Sequence, residues 1–145
     1  MLAITIGYVT PSTGTPERYA TELGELWAGL AGTLGRIEAI AREPDLLDED
    51  ASIVALRRLQ YRLHAACEEA YGLQPPAGGE GVHAELSGAL AAARDATAEV
   101  AEAAELGGAV GVEPLLHEWR GAIFGVRLAR KRLAAHRAPQ SGSRL

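Results

Sequence analysis

On a helix, His64, Cys67 and Glu68 stand at i, i+3 and i+4, so their side chains share a face and one metal ion could touch two or three of them. Glu80-x-x-His83 and Glu113-x-x-x-His117 supply further carboxylate and imidazole pairs at helical spacing. A di-metal site inside a helical bundle needs Glu-x-x-His on two helices and a single inward Glu on each of two others. Here only Glu80 to His83 has that spacing, and it falls at the start of its helix. A plainer reading makes Gln60, His64, Cys67 and Tyr71 a semi-polar stripe, because each lies one residue past an apolar seam position. His64, Cys67, Glu68 and His83 are thus the metal-ligand candidates, in a ferritin-like or ligand-binding bundle, and no cofactor is expected.

A second constellation is cationic. At 100° per residue, Arg120, Arg127 and Lys131 fall within about 40° of one another, with Phe124 on the same side and Leu128 beside it. A ring framed by cations suits a docking surface, where the ring fills a pocket and the guanidinium groups meet carboxylates or phosphates. Alternatively, Phe124 covers a neighbouring helix while the cations pair with the acidic second or third helix of the same bundle. Nucleic acid is not the expected taker. The chain is net −5, and this stretch lacks the Ser, Thr, Asn or Gln neighbours that read bases.

Two short patterns resemble known families. Arg58 with His64, and Arg130 with His136, resemble the Arg-x(4 to 6)-His motif of the all-helical HEPN ribonucleases. That resemblance implies activation and stabilisation of a scissile phosphate; the family usually has a polar residue after the Arg, whereas Leu59 and Lys131 follow here. Trp27-Ala28-Gly29 and Trp119-Arg120-Gly121 resemble the Trp-x-Gly element of small secreted helical-hairpin proteins. In those proteins it sits in the turn between helices, and here both copies are expected mid-helix, which excludes the reading. No Gly-rich loop follows a strand, and no Ser has a nucleophile-elbow context. Cys67 has acidic neighbours that would raise its pKa. No catalytic set emerges, so an enzyme is not expected.

These side chains must be carried by helices. Leu23, Leu26, Leu30, Thr33, Ile37 and Ile40 recur at alternating three and four residues, with Trp27 and Leu34 widening the stripe. Thr15 can cap this helix, Pro16 suits its first position, and Pro44 ends it. Gly24, Gly29, Gly32 and Gly35 inside it each cost about 1 kcal/mol relative to Ala, so close approach of a neighbouring helix is expected to offset them. A second helix carries Leu56, Leu59, Leu63, Ala66, Ala70 and Leu73, begins among Asp45, Asp48, Glu49 and Asp50, and stops at Gly72 and Pro75. The third buries only Val82, Leu86, Leu90, Ala93, Val100 and Ala104, so it should be helical by propensity but weakly anchored, and Gly107-Gly108 closes it. The fourth has a heptad seam of Val112, Leu115, Trp119, Ala122, Val126, Ala129 and Leu133, with Pro114 in its first turn.

The fold expected is all-α, an antiparallel four-helix bundle with helices at 16–43, 46–72, 81–106 and 113–137 within a domain of residues 15–137. Residues 1–14, with Leu2, Ile4, Ile6 and Tyr8 alternating, are expected as an extended arm, and 138–145 as a disordered tail. With 28 Ala and one Phe, the core should be Leu, Ala and two Trp, with helix axes close together. One cysteine excludes an internal disulfide, and the opening residues resemble neither a signal peptide nor a membrane span, so the cytoplasm is expected. Thirteen of the fourteen basic residues are Arg, which suits a GC-rich bacterial genome. Charge is divided: residues 112–145 hold seven Arg or Lys against two Glu, and residues 1–111 hold seven against seventeen Asp or Glu. A chain so divided can pair with itself or present one face to a partner. The expected function is therefore a non-enzymatic bundle acting through protein contacts, as a homo-oligomer or as a subunit or regulator of a larger complex.

Overall fold

The structure is a computed structural model that describes residues 15–137. The expected N-terminal arm and C-terminal tail lie outside the described residues. Within them the chain is almost entirely helical, with α1 at Pro16–Arg42, α2 at Asp50–Gly72, α3 at Glu80–Val112 and α4 at Leu116–Arg137, and a non-helical connection at 73–79. Short 3-10 turns, Pro44–Asp48 and Glu113–Leu115, join α1 to α2 and α3 to α4.

Helix α1 starts where its local chemistry dictates. The Thr15 hydroxyl accepts from the Arg18 backbone N–H at 3.1 Å, Pro16 follows, and Glu17 sits in the positively polarised first turn. It ends at Arg42 because the residue before Pro44 is driven out of the helical region, as Glu43 shows with φ −128° and ψ 70°.

Cross-helix contacts give the topology. Late in α1, Ala41 meets Arg120 early in α4, while Leu23 and Trp27 nearer the start of α1 line a pocket with Arg130, Leu133 and Ala134 near the end of α4. Those helices are therefore antiparallel. Arg57 early in α2 pairs with Glu105 late in α3, giving the same relation there. Each helix packs against its chain neighbours, and α1 against α4, so the four close an up-down-up-down ring.

Most of the predicted seam is buried. Leu23, Leu26, Leu30, Leu34, Ile37 and Ile40 of α1 line the core, as do Leu56, Leu59, Leu63, Ala66 and Ala70 of α2. Trp119 is completely buried and donates its indole N–H to the Thr97 hydroxyl at 3.0 Å, which settles its one polar atom. Trp119 stands in the first turn of α4 rather than mid-helix, because the 3-10 turn Glu113–Leu115 delays the start of that helix. The second tryptophan is different. Trp27 is only half-buried, and the Arg130 guanidinium lies 4.4 Å from its ring centroid.

Three expectations need correction. Helix α3 is not weakly anchored: it makes the most extensive contacts in the molecule, against both α4 and α2. Its alanines let the neighbouring backbones approach, and His83, Thr97 and Ala101 join the predicted residues in the core. The glycines of α1, in contrast, are not contact points. A Cβ built on Gly24, Gly29, Gly32 or Gly35 would meet nothing within 4 Å, so their conformational cost is not offset by packing within these residues.

The third correction concerns both corners. Residues 44–48 form a 3-10 turn that drives Leu47 fully into the core, and α2 starts at Asp50. Asp48, expected to favour the start of α2, instead accepts from the backbone N–H of Ala109 at 2.9 Å. That bond restarts α3 after Gly108, whose φ of 63° and ψ of −155° interrupt the helix in a backbone region essentially confined to glycine. The predicted stop at Gly107-Gly108 is real, but a further turn, capped from another element, follows it.

Candidate interaction face

The outer face of α4 on the α1 side carries the four residues picked out by spacing. Phe124 is 64% exposed and so does not cover a neighbouring helix. Gly121 and Gly125 leave the ring without side chains beside it on their flank, and half-buried Leu128 lies one turn further on. Lys131 is exposed and forms no ion pair with any described residue.

Two of the cations serve the fold, and they do so against α1 rather than the acidic second or third helix. Arg120 donates from Nε and from an Nη to the Ala41 carbonyl oxygen, at 2.9 and 2.6 Å. Ala41 lies in the last turn of α1, where carbonyls lack helical partners, so Arg120 caps that helix from a distance. Arg127 forms a two-pronged bond with Glu38, at 2.8 Å on each prong. That hydrogen bond holds the Glu38 carboxyl below its ordinary range against an opposing effect of burial, and it raises Arg127 in turn. What reaches solvent is an aromatic knob with one unpaired ammonium and two engaged guanidinium groups behind it.

The metal-ligand candidates are not brought together. His64 Nε2 lies 3.8 Å from Glu68 Oε2, both well exposed. Cys67 is buried beside them and faces Arg94 of α3. Burial is the main reason its thiol is pushed up; Arg94 acts in the opposite sense, and Asp95 and Glu68 add only smaller upward effects. His83 points into the core: its Nε2 lies 2.9 Å from the Ala70 carbonyl and its Nδ1 2.7 Å from the Tyr19 hydroxyl. A carbonyl only accepts, so Nε2 carries the proton and Nδ1 takes the hydroxyl proton in the neutral ring. Both nitrogens are used in fastening α1, α2 and α3 together. Among the described residues no three His, Cys, Asp or Glu side chains are grouped so as to hold a metal ion.

The Arg and His pairs that resemble the ribonuclease motif do not converge either. Arg58 and His64, six residues apart on one continuous helix, point about 120° apart. Arg130 is engaged with Trp27, and His136 lines a shallow groove with Tyr19, Pro76 and Val82. No described helix is long and apolar enough to cross a membrane.

The sequence reading missed a second exposed apolar edge, where α2 meets α3. Val54 and Tyr61 of α2 and Leu106 of α3 are 51%, 66% and 85% exposed, and Val54 reaches the junction of the two helices. Beside them an open groove of about 550 Å³ is lined by Leu47, Ile53, Val54 and Ala104, with Asp48, Asp50 and Glu105 among its walls. Val54 and Tyr61 sit seven residues apart, a signal of a second apolar stripe on α2 that the stronger core periodicity concealed. Comparison with known proteins finds no matching family model, no similar curated protein and no similar solved structure.

Proposed function

We propose that the chain is a non-enzymatic helical interaction module that works through protein contacts, either self-assembling or serving as a subunit or regulator of a larger complex, with Phe124 as its anchor. The observation that carries this reading is the exposure of the chain's one phenylalanine on a helix whose core seam is already filled. An aromatic ring held on a rigid helix loses little entropy on docking, and such rings dominate interface energetics. Lys131 gives the face a charge with no ion-pair partner among the described residues. Arg120 and Arg127 keep the backbone beneath the ring in place, and their remaining donors and charge favour an acidic surround. We assign the interaction to Phe124 and Lys131 first, with Arg120 and Arg127 as supports.

Capture from an extract of the native cells, comparing the wild type with Phe124→Asp, tests the proposal. A protein, whether a second copy or another chain, should be retained by the wild type and lost by the variant, while helicity by circular dichroism stays the same. An identical set of captured proteins from both would reject the assignment.

A further inference from the structure

We propose that the partner of the Phe124 face is the groove between α2 and α3 on a second copy of this chain. This rests on the reading of that face as an interaction surface, and names its occupant. In the ring of helices, the α4 and α1 edge that carries Phe124 lies across the bundle from the α2 and α3 edge that carries the groove. One molecule therefore displays both surfaces at once, and no described residue of the same copy covers either.

The two surfaces complement each other in shape and in charge. On one side stands an apolar knob with Lys131 unpaired and the charges of Arg120 and Arg127 behind it. On the other is a groove whose accessible apolar surface is that of Ile53 and Val54, above buried Leu47 and Ala104, with Asp48, Asp50 and Glu105 around it. Glu105 is already bound by Arg57, with contacts of 2.8 and 2.9 Å, and Asp48 is partly used by Ala109. Asp50 makes no ion pair among the described residues, and Glu102 close to Arg57 adds further negative charge. Lys131 and Asp50 are thus charges of opposite sign, each without an ion-pair partner among the described residues, on the edges that would meet. Against a net charge of −5, which repels copies from one another at random, such a local match selects one orientation.

The geometry has a consequence for assembly. Knob and groove are different surfaces, so the contact is heterologous: each copy in a dimer keeps one free knob and one free groove. Association then continues head to tail, into a ring if the rotation closes and into a chain if it does not. A symmetric dimer joined through two Phe124 faces would instead stop at two copies.

Sedimentation velocity on three samples tests this. Wild type should form species beyond a dimer that grow with concentration, and association should weaken at least tenfold between about 50 mM and 500 mM salt. Phe124→Asp and Val54→Lys, both at exposed positions, should each be monomeric and as helical as the wild type. Mixed in equal amounts they should form a one-to-one dimer and nothing larger, since one intact knob and one intact groove remain. Dimers of Val54→Lys alone would show a symmetric Phe124 contact and overturn the proposal, as would a mixture that stays monomeric. A wild type that is monomeric at its highest soluble concentration would overturn it too. In that case, Phe124-dependent capture of another protein would preserve the interaction-module reading, and loss of both results would end it as well.

Discussion

Replacing Gly108 with Ala should destabilise the bundle by about 2–4 kcal/mol, which is large for the addition of one methyl group at a surface corner. Two separable effects make up the figure. The backbone at φ 63° and ψ −155° costs a residue with a Cβ about 1–3 kcal/mol. The new Cβ would also stand 2.7 Å from the Asp48 carboxylate oxygen that accepts from Ala109, so that oxygen must move and its bond is lost. A capping bond of this kind contributes about 1 kcal/mol. Gly107, one residue earlier, is a control of opposite sign. Its added Cβ would meet nothing within 4 Å and its φ is not positive, so Gly107→Ala should stabilise by up to about 1 kcal/mol. Urea unfolding followed by tryptophan fluorescence reads both changes; with a slope of about 1–3 kcal/mol per molar, Gly108→Ala should lower the midpoint by on the order of 1–2 M. In an Asp48→Ala background the clash disappears, so the further cost of Gly108→Ala should fall by about 1 kcal/mol. If Gly108→Ala matches the wild type, or if its cost is the same with and without Asp48, the account of this corner is refuted.

Glu38 gives a pH dependence whose sign follows from its lowered pKa. The Arg127 bond stabilises the fold while the carboxylate is ionised, so that contribution is complete above the ordinary carboxylate range and is lost as pH falls through the lowered value in the folded state. Both side chains are partly open to solvent, so the wild type should lose about 0.5–1 kcal/mol more than Glu38→Gln on acidification, measured by urea titration at successive pH values. Thr97→Val keeps the side-chain shape but leaves the buried Trp119 indole N–H without its acceptor, and should cost about 1–3 kcal/mol in the same assay, with a shift in tryptophan emission. Cys67, buried and with its thiol pushed up, should react with a thiol reagent only as fast as the bundle opens; immediate modification of the native protein would contradict its placement.

Much of the bundle was legible because helix formation is read from near neighbours. The three-and-four spacing of Leu23 to Ile40, the Thr15-Pro16-Glu17 start and the Gly107-Gly108 stop are local signals, and the structure repeats them. The candidate face was half legible. Helical geometry placed Phe124, Arg120, Arg127 and Lys131 on one side of α4 and could not say what the long side chains reach. His83 shows the same limit: a histidine near the start of a helix reads as a ligand by spacing, whereas burial against Tyr19 and Ala70 makes it a fastener of three helices. The α2 and α3 edge went unread because the Val54 and Tyr61 stripe is weaker than the core periodicity of α2, and because Ala104 and Glu105 come beside Val54 only once the two helices pack.

From the order of its residues alone, this protein is committed to four helices, to their core seams and to the position of its one phenylalanine. Those are matters of residues three, four or seven apart, which the helix brings together at about 1.5 Å of rise per residue. The use made of the charged groups was decided by contacts across the fold: Arg120 to Ala41 spans 79 positions, Arg127 to Glu38 spans 89, and Asp48 to Ala109 spans 61. No periodicity encodes such pairings, because they depend on which helices pack side by side and at what height. Packing tied two cations of the predicted face to α1, left Phe124 and Lys131 free of such contacts among the described residues, and opened an acidic groove on the far edge.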